Sequence, residues 1–272
     1  SRRIRAARVL AVEGHILRAE LLCDWGARLG DAPLLRAATR DTITAASGLT
    51  PDFEPLTIAR IGFARARAQI LLGDVQGHAE TVISGVDLMY GILVDLSLEH
   101  SPLDRSLGEY IAGQGLEALG DITGDIRQYE RAIAAYERAR NIVGRREGLV
   151  LRARIASRRA VCIARAAEVS GDLAAMNSAE KALRNELANI AVLKDRESWA
   201  RVQLFLARLL LARLDISRKD RGERAGARSA LSAAQDLLPE TALMGLGRSA
   251  AQTLALVDTA LRDNSGLKPA AD

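Results

Sequence analysis

Apolar residues recur along much of the chain at the three- to four-residue spacing that is typical of amphipathic helices. Residues 126–139 show the pattern most clearly, with Ile126, Tyr129, Ile133 and Tyr136 on one helical face. A lone pair of helices cannot bury such a face, whereas stacked copies of the pair can. The pattern therefore predicts helices that pack on further helices of the same chain.

Short turns marked by Gly, Asp or Pro separate these segments. Pro102 is placed to open a helix, Gly120 to end it, and Asp125 to cap the next one through its carboxylate. The same reading predicts helices at 3–28, 32–48, 55–72, 77–98, 102–120, 125–143, 147–169, 172–193, 196–216 and 222–237. One more helix, 241–263, is expected to cap the last pair, followed by a frayed tail at 265–272.

Turn and packing residues recur at a constant step of 47 residues, which indicates an internal repeat. Turn glycines follow this step at Gly30, Gly77, Gly124 and Gly171. Small residues at a packing position follow it at Ala38, Gly85, Ala132 and Ala179, and Ala227 comes one residue late. The chain is therefore expected to form one domain, 1–264, with five repeats at 3–50, 51–98, 99–145, 146–193 and 194–239.

Composition favours an all-α fold, because Ala, Leu and Arg dominate and aromatic residues make up only 3%. The net charge is +4, but 34 acidic residues are interspersed among 38 basic ones without a block of like charge. This distribution disfavours nucleic acid as a partner. The chain has no 18-residue uncharged apolar run, so no membrane insertion is expected. Its start lacks Met and a signal sequence, which suggests a fragment of a longer protein.

Residue types that carry out catalysis or bind metals are scattered. His15, His78 and His100 are far apart, and the chain has no zinc, nucleophilic-serine or phosphate-loop motif. We therefore expect no enzyme activity, no metal and no cofactor. Cys23 and Cys162 are expected to be buried thiols in a reducing cytoplasm.

Three further features have simple structural explanations. His78 is expected in a turn or cap, and the small residues of GQG at 113–115 are expected to let helices approach closely. Two carboxylate pairs are interpreted as helix caps that interact with the helix dipole: Asp121 with Asp125, and Asp215 with Asp220.

The repeats resemble the tetratricopeptide repeat (TPR) family, in its long-repeat bacterial form. The resemblance is carried by PLDRSLGEYIAGQGLEALG at 102–120, RAIAAYERA at 131–139 and WARVQLFLARLL at 199–210. Arg105 and Glu186 depart from the family pattern. The resemblance implies a right-handed superhelix of antiparallel hairpins, whose first helices line a concave groove that binds other proteins. HEAT-like repeats share this repeat length and stay open as the structural alternative.

In the family, certain positions of each first helix point into the groove, and the 47-residue step carries those positions through this chain. Most of them are arginines, whose planar guanidinium groups can bind carboxylates or phosphates through paired hydrogen bonds. The partner-binding residues expected from this transfer are Arg60, Phe63, Arg67, Tyr110, Gln114, Arg154, Arg158, Arg165, Arg201, Phe205 and Arg208. A solvated arginine face that binds nothing is the alternative.

The sequence thus predicts a non-enzymatic scaffold that binds a protein or peptide, with a preference for acidic ones, in the concave groove. A regulatory or sensor region of a larger bacterial signalling or transcription protein is the second hypothesis. A repeat-built enzyme or nucleic-acid binder is the third. The identity of the partner and the oligomeric state stay open.

Overall fold

The computed structural model of the chain describes residues 2–49, 55–96, 101–143, 148–193 and 195–263. In these ranges the backbone forms twelve helices and no strand. The helices are α1 (Arg2–Leu29), α2 (Ala32–Ser47), α3 (Pro55–Gln76), α4 (Ala79–Asp95), α5 (Pro102–Thr123), α6 (Ile126–Ile142), α7 (Leu149–Ser170), α8 (Leu173–Leu193), α9 (Arg196–Ser217), α10 (Glu223–Leu237), α11 (Glu240–Met244) and α12 (Arg248–Arg262). Consecutive helices pack against each other, which confirms an all-α fold of stacked helices. His100 and the tail 265–272 lie outside the described residues.

The turns within the first four helix pairs have the predicted local chemistry. The four glycines spaced by 47 residues all have φ between 64° and 68°, a left-handed conformation that glycine adopts at low cost. Asp31 and Asp125 each accept a hydrogen bond at 3.0 Å from a first-turn backbone amide of the following helix. His78 stands at the same position before α4, but its ring lies 2.8 Å from the Thr81 hydroxyl and does not bond an amide.

Two helices run three or four residues beyond their predicted ends. Gly120 does not end α5, which continues to Thr123 and is capped by the left-handed Gly124. The absence of a side chain at Gly120 makes room for Tyr129, because a Cβ there would lie 2.7 Å from the tyrosine ring. Likewise α3 runs to Gln76, past the predicted end at residue 72.

The α5–α6 pair is held together by tyrosine rings set against glycines. Tyr129 and Tyr136 of α6 are fully buried, and a Cβ on Gly113 would lie 2.6 Å from the Tyr136 ring. The GQG stretch therefore packs helices closely, as predicted. Cys23 and Cys162 are buried free thiols, also as predicted.

Arg105, which departs from the family pattern, has a structural role at the end of the preceding helix. Its guanidinium donates a hydrogen bond of 2.7 Å to the Leu96 carbonyl and another to the Leu93 carbonyl, at the carboxyl end of α4. Arg152 lies one 47-residue step later and donates in the same way to the Val143 carbonyl at the end of α6, at 2.6 Å. Both arginines satisfy carbonyls that have no partner within their own helix.

The predicted capping helix 241–263 is in fact two helices, α11 and α12, separated by residues 245–247. Gly247 has φ of 118°, a value that an L-amino acid rarely adopts and that ends helical continuity there. Leu243, Leu254 and Val257 are buried in one core cluster with α9 and α10, so the segment does cover the last repeat. The break also turns the chain back, and Arg248 donates a hydrogen bond of 3.1 Å to the Asp74 carbonyl on α3.

The first helix is less completely packed than the last. Four apolar side chains lie along one face of α1 and are 57% to 72% exposed: Leu10, Leu17, Leu21 and Trp25. Within the described residues, no element covers this face.

Candidate binding groove

The first helices of the five pairs, α1, α3, α5, α7 and α9, lie side by side and form one wall of the molecule. Two neighbouring cavities open along this wall. The inner chamber has a volume of about 220 Å³, and its lining comes from all five first helices and from residues 245–249. The outer chamber has a volume of about 270 Å³ and is lined by α1, α3, α5 and α7. The chambers share Asp24, Arg67, Tyr110, Gln114 and Arg154.

Most of the predicted groove residues line one of these chambers. The inner chamber contains Arg67, Tyr110, Gln114, Arg154, Arg158 and Arg201. Arg60 and Phe63 line the outer chamber, although Phe63 is only 4% exposed and belongs mainly to the core. Arg165 and Arg208 lie beside the groove in a buried ion-pair cluster and line neither chamber.

Phe205 is not a groove residue, contrary to the prediction. Its side chain is 1% exposed and packs in the core cluster of α9. Phe205 stands one 47-residue step after Arg158, which lines the inner chamber, so the repeat step alone would place Phe205 in the groove as well. Its burial in the core of α9 shows that equivalent positions of the first helices do not all share one environment.

Five of the predicted arginines pair with a carboxylate on a neighbouring first helix. We call this set the arginine ladder, and its pairs are Arg60–Asp104, Arg67–Asp24, Arg158–Glu117, Arg165–Asp121 and Arg208–Glu168. The nitrogen–oxygen distances are 2.9 Å for Arg158–Glu117 and 2.8 Å for Arg208–Glu168. The ladder links successive repeats, so these arginines have a structural role.

Tyrosines extend the ladder to the second helix of the third pair. Tyr136 donates a hydrogen bond of 2.6 Å to Glu117, and Tyr129 donates one of 2.7 Å to Asp121. Burial, reinforced by the nearby carboxylates, raises the pKa of both tyrosines, so they stay protonated as donors. Asp121 is therefore a ladder acid and does not cap α6, whereas Asp125 does.

The predicted carboxylate pair Asp215 and Asp220 also contains only one capping residue. Asp220 accepts a hydrogen bond of 2.9 Å from the Gly222 amide in the turn before α10, while Asp215 forms an ion pair with Arg218.

Glu168 lies between two arginines at the end of the ladder. Burial by itself would raise the pKa of Glu168, but Arg208 and Arg165 outweigh it and lower the pKa below its ordinary value. Glu168 is therefore a carboxylate at neutral pH, and Arg208 also donates to the Thr253 hydroxyl of α12 at 3.1 Å. The ladder thus continues into the C-terminal helix.

Arg154 and Arg201, one 47-residue step apart on α7 and α9, have no carboxylate partner among the described residues. Arg154 is exposed in the inner chamber and forms no side-chain hydrogen bond with a described residue. Arg201 is only 8% exposed and donates to the Leu246 carbonyl at 2.5 Å. Burial, and then the charge of Arg158, lower the pKa of Arg201 to about 10.

Early and late helices of the chain meet at the inner chamber. Arg28 of α1 pairs with Glu197 of α9 at 2.7 Å, across 169 residues of sequence. Arg248 of α12 lies 3.6 Å from the Asp74 carboxylate of α3. Burial raises the pKa of Asp74 to about 6, although Arg248 opposes this shift. Ion pairs and hydrogen bonds therefore join the early and late helices across the groove.

Sequence reasoning missed the acidic members of the ladder and the return of residues 245–249. The acids stand 40 to 44 residues from their arginines, which is not the repeat step. The pair of glycines around Leu246 was the available signal for the break between α11 and α12.

The described residues bring no cluster of three or more His, Cys, Asp or Glu side chains together that could hold a metal. Among the described helices, none has both the length and the apolar character to cross a bilayer. A scan of protein-family models and a search of curated proteins gave no match to this chain.

Proposed function

We propose that this protein is a TPR-like scaffold that binds a protein or peptide in the groove of its first helices, without catalysis. The observation that carries the proposal is the pair Arg154 and Arg201. Both line the inner chamber, and neither is neutralised by a carboxylate of the described chain. An acidic ligand supplies the missing charge.

The proposal includes the finer features of the fold. The left-handed glycines and the arginine caps recur at the 47-residue step and support a helical repeat, while the choice of the TPR family over HEAT-like repeats rests on the sequence resemblance. In a right-handed superhelix of this kind the groove is the concave face. Repeat-to-repeat contacts keep that face preformed, which lowers the entropy lost when a ligand binds.

The two chambers differ in polarity and therefore suit different side chains of one peptide. The inner chamber, which is mainly polar, accepts an acidic side chain or a carboxylate end. The outer chamber adds apolar surface from Leu107, Ile111 and Leu151, next to the Arg60–Asp104 pair. An acidic residue next to an apolar residue therefore fits this groove.

Binding of labelled peptides measured by fluorescence anisotropy tests the proposal. Peptides that contain acidic and apolar residues are compared with neutral peptides of the same length. Changing Arg154 or Arg201 to Glu is expected to weaken acidic-peptide binding about tenfold or more, because a charge-assisted contact is replaced by repulsion.

Arg36→Glu is the matched control, since Arg36 is an exposed arginine on α2 outside both chambers. It should leave the affinity for acidic peptides unchanged. Equal affinity across all three variants and the parent protein would contradict the proposal.

The bridged ends of the chain favour the regulatory alternative as a second candidate. The Arg28–Glu197 and Arg248–Asp74 contacts join early and late repeats around the inner chamber. A ligand there would change how firmly the two ends hold together. Hydrogen exchange in α1 and α12 with and without a bound peptide tests this, and unchanged protection of both helices argues against a sensor.

A further inference from the structure

The charges in the inner chamber do not balance. Its lining contains five carboxylates and six arginines. Each carboxylate already has an arginine within ion-pair distance, and the pairs are Asp24–Arg67, Asp74–Arg248, Glu117–Arg158, Asp121–Arg165 and Glu197–Arg28. Arg165 lies outside the chamber, so two of the six lining arginines are left over. They are Arg154 and Arg201.

Arg201 carries its unbalanced charge in a buried position, which is unusual. Its side chain is buried, and a buried cation without an anion is costly because protein replaces the water around it. The Leu246 carbonyl accepts one hydrogen bond, which leaves most of the five guanidinium donors without a described partner. The neighbouring charge of Arg158 adds repulsion and, together with burial, depresses the pKa of Arg201.

The first turn of α12 adds a third source of positive potential. Gly247 and Ser249 line the chamber, and no side chain caps the first amides of this 15-residue helix. Helix starts of this kind attract anions through their free N–H groups and the helix dipole. Here the helix start lies in the same chamber as the buried, unbalanced Arg201.

We propose that the inner chamber binds a phosphoryl group between Arg154, Arg201 and the first turn of α12. A phosphoryl group carries a charge of about −1.5 to −2 at neutral pH and several strong acceptor oxygens. It can therefore neutralise two guanidinium groups at once, whereas one carboxylate leaves a positive charge behind. The inference deepens the proposed function, in which the phosphoryl group belongs to a phosphorylated peptide; free phosphate is the other source.

Titration calorimetry with inorganic phosphate at constant ionic strength is the first arm of the test, with acetate and chloride as competing anions. The parent protein should bind phosphate more tightly than either competitor. Arg201→Gln keeps a polar side chain with N–H donors but removes the charge. Arg154→Gln changes an exposed side chain that has no described partner. Each variant should weaken phosphate binding about tenfold or more, and Arg36→Gln should not.

The second arm compares a phosphoserine peptide with the same peptide carrying serine or aspartate. Tighter binding of the phosphopeptide that depends on both arginines identifies a peptide as the source. If phosphate binds and no peptide does, the source is free phosphate. That result contradicts the scaffold function but leaves the phosphoryl site in place. If Arg201→Gln fails to fold by circular dichroism, Arg154→Gln decides the first arm.

The proposal is overturned if phosphate binds no better than acetate, or if Arg154→Gln leaves its affinity unchanged. The aspartate peptide provides a further check. If it binds as tightly as the phosphopeptide and its binding depends on the arginines, the phosphoryl inference is overturned while the scaffold function stands.

Discussion

Arg154 and Arg158 stand one helical turn apart on α7 and differ in exposure and in pairing. Arg158 is largely buried and held by Glu117 at 2.9 Å, while Arg154 is exposed and has no described partner. Both point to the same chamber. The difference lies in the preceding first helix, which supplies an acid opposite Arg158 and none opposite Arg154. One residue type on one face can therefore hold repeats together and also remain available to a ligand.

The same contrast separates the ladder from Arg201. A ladder arginine compensates the charge of a neighbouring carboxylate, so both groups tolerate burial. Arg201 tolerates burial with only a backbone carbonyl and the open chamber beside it. A site that keeps an unbalanced buried charge is prepared for a ligand of opposite charge, because no side chain has to leave before the ligand binds.

The largest expected effect comes from breaking the ladder at Arg158. Arg158→Gln leaves Glu117 buried with the Tyr136 hydroxyl but without a cation, and should lower the free energy of unfolding by about 3–5 kcal/mol. Arg154→Gln should change it by no more than about 0.5 kcal/mol, because no described contact is lost. Urea unfolding followed by circular dichroism measures both. Similar losses in the two variants would show that the ladder and the free arginines do not differ.

An effect of intermediate size is expected from the protonation of the partly buried Asp74. Burial raises the pKa of Asp74 from 3.8 in the unfolded chain to about 6 in the folded protein. The folded state then binds the proton more tightly. The stabilising contribution is complete below about pH 4, declines as the pH rises towards 6, and is absent above it.

Unfolding measured at several pH values for the parent protein and Asp74→Asn tests this. Between about pH 4 and 6.5 the parent should lose up to about 3 kcal/mol relative to the variant, which cannot titrate at this position. Parallel stability curves for the two proteins would mean that Asp74 has an ordinary pKa. In that case the contact between α3 and α12 resembles an exposed ion pair.

Much of the fold could be predicted because its signals are local. A turn glycine, a capping Asp and an apolar stripe act within one or two helical turns, and the 47-residue step repeats them. The break between α11 and α12 is different, because the apolar pattern continues across Gly245 and Gly247. Gly247 permits the break, and the tertiary contacts of Leu246 and Arg248 hold the chain in the direction it takes there.

The groove could be predicted only in part, for a related reason. Arg154 and Arg201, one repeat step apart, both line the inner chamber, whereas Phe205, one step after Arg158, lies in the core. The repeat step could not predict which arginines would be neutralised. That outcome depends on how neighbouring helices are offset along their axes, and the ladder acids do not follow the repeat step.

The smallest expected effect concerns the outermost pair of the ladder, Arg60–Asp104. Arg60 is about half exposed, with 46% of its side chain accessible, so solvent and salt screen its attraction to Asp104. Arg60→Gln should therefore lower the free energy of unfolding by less than about 1 kcal/mol, and added salt should reduce that loss further. Urea unfolding at low and high ionic strength provides the measurement. A loss as large as that of Arg158→Gln would mean that burial does not separate the inner pairs from the outer one. The ladder would then act as one coupled network along the groove and not as a set of independent contacts.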